Sequence, residues 1–145
     1  MKGLLPHKAV YLRSFFSQQG TEIFCAQETH GSPGSIPRLT SSLGMKGGCM
    51  SLCQRQARGV GIFWSKRWEL LKNVNDNEGR IVGSALKRDD GYVLGVFSVY
   101  APNLDGTVGK STEYVNFLIS LKHYVGELGS SPQGLIIEGD FNLVM

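Results

Sequence analysis

Residues 8–19, KAVYLRSFFSQQ, place Ala9, Leu12, Phe15 and Phe16 at helical spacing, and Gly20 follows as a left-handed stop. The spacing predicts a helix with one buried face. The next apolar stretch, EIFCAQ at 22–27, is short and bounded by polar residues, so it predicts a buried strand whose end delivers Glu28, Thr29 and His30. Residues 31–48 carry GSPGSIP and SSLGMKGG, which are turn formers with little periodicity, and predict loop.

Beyond that loop the pattern turns to β. GVGIFWS (59–65), WELLKNV (68–74), GRIVGSALK (79–87) and YVLGVFSVY (92–100) are short runs rich in Val, Ile, Phe or Trp, separated by turn signals such as NDNEG and RDDG. Antiparallel hairpins are the economical arrangement. A second helix is predicted where Tyr114, Phe117, Leu118, Leu121 and Val125 form an apolar stripe after KSTE, ending at Gly126 or Gly129. GSSPQG then leads into LIIEG, a last buried strand running into Asp140. Strands in hairpins with helices between some of them predict an α+β layered domain, and residues 1–145 hold no internal repeat and no room for a second domain.

Composition narrows the class without naming a function. At 145 residues the chain can bury a sizeable core, and its 41% hydrophobic and 19% charged content argue against disorder. No apolar stretch reaches the ~18 residues that span a bilayer, and no signal-peptide apolar region opens the chain, so an intracellular protein, nuclear or cytoplasmic, is expected. The net charge of +3 permits a polyanionic partner without requiring one. Cys25, Cys49 and Cys53 have neither CxxC spacing nor a matching His pair, which leaves free reduced thiols as the expectation.

Three apolar runs finish in polar groups: CAQETH (25–30), FSVYAPN (97–103) and IIEGDFN (136–142). Strand ends are where a rigid scaffold presents functional side chains. Glu28 is a hard oxygen donor suited to Mg²⁺ or Mn²⁺, or else a solvated carboxylate at a loop entrance. Asp140 can take a proton from an attacking water and Asn142 can donate to charge developing on a phosphate, although both types also follow glycine as plain turn formers. Tyr100 and Asn103 flank Ala101-Pro102, whose proline holds an extended turn; a tyrosine hydroxyl capping a core is the plainer explanation. His30 can ligate metal, act as an acid or simply hydrogen-bond at the surface. The cations Lys8, Arg13, Arg55, Arg58, Lys66, Arg67, Arg80, Lys87 and Arg88 are scattered and read as mostly solvated.

Together, QETH (27–30), GVGIFWS (59–65), VYAPN (99–103) and GDFN (139–142), in that order, resemble the endonuclease/exonuclease/phosphatase family, and within it the LINE-type retrotransposon endonuclease branch. The resemblance implies a two-sheet α/β sandwich with outer helices, whose strand ends meet in a cleft that binds Mg²⁺ (or Mn²⁺) and hydrolyses phosphodiesters. It further implies Glu28 as metal ligand, Asp140 as the residue that orients or deprotonates water, Asn142 as stabiliser of the pentacovalent phosphate and Tyr100 as a phosphate contact. Asn103 and His30 are its further candidate substrate contacts. The implied partners are DNA and, in a full-length polyprotein, a reverse transcriptase domain.

The departures are equally specific. The family pattern opens with an Asn-x-x-Gly-Leu strand end, of which only Gly3-Leu4 is present, and closes with a Ser-Asp-His segment that has no counterpart here. His7, His30 and His123 do not sit in that motif. A domain truncated at both ends is therefore expected, its second sheet dependent on further strands, its first sheet exposing an apolar face or edge. Such a chain should be poorly soluble and have little nuclease activity alone. An inactive relic or nucleic-acid-binding fragment, and another phosphoesterase of the family, are the competing expectations.

Overall fold

The computed structural model describes residues 6–53 and 58–143. Its elements are α1 (Pro6–Gln19), β1 (Ile23–Gln27), a 3-10 turn (Pro33–Ser35), α2 (Ile36–Ser42), β2 (Gly47–Ser51), β3 (Val60–Trp64), β4 (Trp68–Asn75), β5 (Ile81–Arg88), β6 (Val93–Tyr100), α3 (Val108–Glu127) and β7 (Gly134–Asp140). β1 and β2 both pair antiparallel with β3, and β4-β5-β6-β7 form a second sheet in that order. The expected α+β layering is present.

Alternation along the strands decides what each face meets. Val60, Ile62 and Trp64 of β3 pack against Val82, Leu86 and Val96 between the two sheets. On the outer face of the second sheet, Ile81, Ala85, Phe97 and Val99 meet Tyr114, Phe117 and Leu121 of α3. On the outer face of the first, Ala26, Met50 and Phe63 meet Ala9 and Phe16 of α1 and Leu43 after α2. The order of layers is helices, three-stranded sheet, four-stranded sheet, helix. Fully burying a side chain such as Phe63 or Phe97 contributes about 1.5–3 kcal/mol relative to leaving it in water, and a dozen such residues outweigh any surface pairing.

Several expectations are corrected. The stretch 31–48 is not mostly loop, since it holds the 3-10 turn, α2 and the start of β2. Gly47 and Gly48 are strand residues there because the rings of β3 occupy their side-chain space. A Cβ on Gly47 would lie 2.5 Å from the Trp64 ring, and one on Gly48 2.5 Å from Phe63. The last strand is not the buried one expected: the 20-residue helix α3 carries the chain across, so β7 lies parallel to β6 at the sheet edge, largely exposed. Both sheets form within the chain, so the apolar surface left exposed is a strand edge and not a whole sheet face. On β7 that edge leaves Leu135 48%, Ile136 50% and Ile137 38% exposed.

Within the helices, the buried stripes are narrower than the spacing suggests. Phe16 lodges against Phe24 at 4.7 Å between ring centres, while Phe15, one position round the helix, is exposed. Leu118 is likewise turned outward on α3. Gly20 and Gly129, both left-handed, end α1 and α3. Thr107 accepts from the Lys110 amide and caps α3 at its start.

Candidate active site

Register brings the strand ends together. Tyr100 at the end of β6 and Asp140 at the end of β7 are paired neighbours, and so share one face of the sheet with Ser98 and Glu138 two residues earlier. That face looks toward β1. The Gln27 side-chain amide donates to Ser98 Oγ at 3.2 Å and to Glu138 Oε2 at 3.3 Å, while Ser98 Oγ donates to the Ala26 carbonyl at 3.2 Å. Glu28 follows Gln27 directly, so this tie between the sheets sets it beside Tyr100 and Asp140.

The local backbone is unusual at these positions. Glu28 (φ 51°), His30 (φ 50°) and Asn142 (φ 46°) are three of the four non-glycine residues in the left-handed region among the described residues. Such residues persist only where their surroundings over-determine them, and they gather at functional sites. The 28–30 turn is pinned by main-chain bonds from Thr29 N to Gly59 O (3.1 Å) and from His30 N to Arg58 O (2.9 Å). Gly139 has no alternative residue, because at its φ of 150° a Cβ would lie 2.0 Å from the Val99 carbonyl oxygen.

The Tyr100 phenol is held above its ordinary pKa, chiefly by the hydrogen-bonding influence of the Glu28 carboxylate; burial and the charges of Glu28 and Asp140 add to the rise, and the Arg80 cation opposes it. One hydroxyl thus senses both carboxylates. Asn142 closes the constellation from the other side: its amide Nδ2 donates to Ala101 O at 2.6 Å and its main-chain N to Asp140 Oδ1 at 2.9 Å. Ala101 N donates in turn to Asp140 O at 2.8 Å, and the Tyr114 hydroxyl of α3 holds the Phe141 carbonyl at 2.7 Å. Asn103, Asp140, Asn142 and Leu143 line an open cleft of about 670 Å³.

Of the residues singled out in the sequence, Tyr100 and Asp140 are register neighbours, and Glu28 follows Gln27, whose side chain is tied to the same face. Asn142 and Asn103 border them, Asn142 spending part of its donor capacity on Ala101. His30 stands two residues past Glu28, its main chain turned to Arg58. His123 lies on α3 facing Glu127 at 3.7 Å and takes no part. His7 belongs to α1, and Arg55 lies outside the described residues. Arg67 is exposed and paired with Glu22 and Asp89, while Arg88 is half-buried, paired with Asp90 and set over the rings of Trp68 and Tyr92. Arg80 is the correction. Its side chain is only 13% exposed, Nη1 donates to Tyr100 O at 3.0 Å, and the guanidinium stands 5.7 Å from the Tyr100 ring centre. Sequence spacing carried no signal for it or for the Gln27–Ser98–Glu138 tie, since neither depends on residues near one another in the chain.

The donor set of Glu28, Asp140, the Tyr100 hydroxyl and the Asn142 amide is oxygen-rich and free of thiolate, which suits a hard divalent cation. Among the described residues no three His, Cys, Asp or Glu side chains converge as a cage. The arrangement fits an ion held by one or two carboxylates with water in its other positions, the ordinary habit of Mg²⁺.

No family model and no curated protein matches the chain by sequence. Solved structures do match. The human Nocturnin catalytic domain, solved with a bound sulfate anion, superposes with a TM-score of 0.65 at 17% identity over 95% of this chain and 57% of its own. The Xenopus laevis APE2 catalytic domain gives 0.65 at 20% identity over 94% and 55%, and an AP endonuclease from Archaeoglobus fulgidus gives 0.67 at 18% over 94% and 52%. The fold is a partial endonuclease/exonuclease/phosphatase-type α/β sandwich. This sandwich spans little more than half the length of the structures it matches. No described helix is long and apolar enough to cross a membrane.

Proposed function

We propose that the chain carries the cleft of a divalent-metal-dependent phosphodiesterase acting on DNA, in the manner of a LINE-type retrotransposon endonuclease that nicks its target within a polyprotein bearing reverse transcriptase. The observation that supports the reading is the register that pairs Tyr100 with Asp140 at the ends of β6 and β7, on the face that Gln27, the residue before Glu28, ties to β1. The shared fold with an AP endonuclease supports it.

In this reading Glu28 would hold the ion. When bound, Mg²⁺ or Mn²⁺ supplies a Lewis acid that polarises the phosphoryl oxygen. Asp140 orients a water and accepts its proton as the oxygen attacks phosphorus. Tyr100 contacts a phosphate oxygen, and the remaining N–H of Asn142 donates to the charge that builds on the pentacovalent phosphate. Asn103 and His30 flank the path of the substrate strand. Cleavage frees a 3′ hydroxyl, the group from which reverse transcription is primed.

The test is nicking of supercoiled plasmid with Mg²⁺, alongside Mn²⁺ binding followed by paramagnetic resonance. Slow, metal-dependent nicking is expected, abolished by Asp140→Ala, with Mn²⁺ binding weakened by Glu28→Gln. Nicking that survives Asp140→Ala, or salt-sensitive DNA binding with no cleavage at all, overturns the proposal in favour of a binding fragment.

A further inference from the structure

The peptide unit of Tyr100 is gripped from two directions. On the β7 side, Ala101 N donates to Asp140 O and Asn142 Nδ2 donates to Ala101 O. On the β5 side Arg80 makes three contacts: its carbonyl accepts from Tyr100 N at 2.8 Å, its Nη1 donates to Tyr100 O at 3.0 Å, and its guanidinium sits 5.7 Å from the centre of the Tyr100 ring. A guanidinium does this because its donors form a rigid planar fork with a face that also attracts an aromatic ring.

Arg80 is itself held. Nη2 lies 3.4 Å from Glu113 Oε1 in the first turns of α3, and Lys110 Nζ reaches the other oxygen of the same carboxylate at 3.2 Å. The chain of contacts runs from the start of α3 through Glu113 and Arg80 to the main chain and ring of Tyr100. A charged side chain this far buried at a strand start is otherwise a cost, and here its donors are directed at the residue that closes the constellation.

We infer that Arg80 is a positioning residue, which fixes the Tyr100 ring at the end of β6 beside Asp140, with Glu113 holding the guanidinium in place. This rests on the reading of Tyr100 as a phosphate contact, but the position of the ring is measurable without turnover.

The experiment is NMR of the full chain with ring-labelled tyrosine, the Tyr100 signal being assigned by its loss in Tyr100→Phe. Arg80→Gln is expected to shift the Tyr100 ring signal and speed its ring flips. Nicking by Arg80→Gln is expected to fall about 10- to 100-fold in kcat with KM little changed, the penalty of a misaligned group. Arg80→Lys keeps the charge but lacks the fork, and should shift the same signal by less while recovering part of the rate. Should Arg80→Gln fail to fold, Arg80→Lys and the solvent-facing Glu113→Gln decide the matter by the same signal. An unmoved Tyr100 signal in the folded variants overturns the inference, even where the rate drops. If instead the signal moves as expected while Tyr100→Phe nicks like the parent chain, Arg80 still positions the ring and it is the role of Tyr100 in hydrolysis that fails.

Discussion

Glu28 shows how one residue carries both a structural cost and a function. A left-handed backbone costs a residue with a Cβ about 1–2 kcal/mol, and Glu28 adopts it at φ 51°. Replacing it with alanine removes the carboxylate and keeps the cost; replacing it with glycine removes both. Glu28→Gly should therefore be more stable than Glu28→Ala by about 1 kcal/mol in urea unfolding, and both should lose Mn²⁺ binding. Equal stability of the two variants would show that the turn is not strained. The residue type at Glu28, Tyr100, Asp140 and Asn142 was readable from the sequence, because each ends an apolar run. The partners were not: that the Asn142 amide is spent on Ala101 O, or that Arg80 is buried, follows from contacts between residues 20 to 41 apart in sequence.

At the level of elements, hydrophobic spacing located both long helices and all the strands except β2. Strand β2 was hidden because its glycines are selected by the rings beside them, a property of the neighbour and not of the segment. Gly83 in β5 is the same case, lying opposite Phe97 in the register, with a Cβ placed 2.3 Å from that ring. Gly83→Val should destabilise the fold by about 3 kcal/mol, since Phe97 is fully buried and cannot move aside without opening the core under α3. Thermal unfolding measures this, and a loss under about 0.5 kcal/mol, the size of an ordinary surface change, would show that Phe97 has room to yield. The pairing sense of β7 was not legible for a different reason. Apolar runs look alike in either direction, and it is the crossover through α3 that sets the sense of the strand.

The whole molecule has two properties that no element shows alone. The first is the open edge of β7, where Leu135, Ile136 and Ile137 face solvent beside unpaired main-chain groups, a template for self-association. Ile136→Lys should lower self-association in sedimentation velocity while leaving the folded signal intact, and unchanged association would place the sticky surface elsewhere. The second is the pair of thiols between and beneath the sheets. Burial, with Glu138 next in effect, pushes Cys25 from its ordinary 9.0 up to about 12; burial pushes Cys49 from 9.0 up to about 11 against the lowering effect of Ser84. The unfolded thiols ionise first, so their contribution to stability is whole below pH 9.0 and is lost as pH rises toward those values, by up to about 1.4 kcal/mol per pH unit for each thiol. Urea midpoints should fall more steeply above pH 9.0 in the parent chain than in the Cys25→Ala, Cys49→Ala double variant; parallel curves would mean the thiols are not buried in solution. By itself the sequence determined which residues end the strands and where the long helices lie, because these depend on spacing along the chain. Only the tertiary structure decided that Tyr100 and Asp140 stand side by side on the face that Gln27 ties to β1, that Arg80 grips Tyr100 from behind and that β7 lies at the sheet edge, because each is settled by which face of one strand meets which end of another.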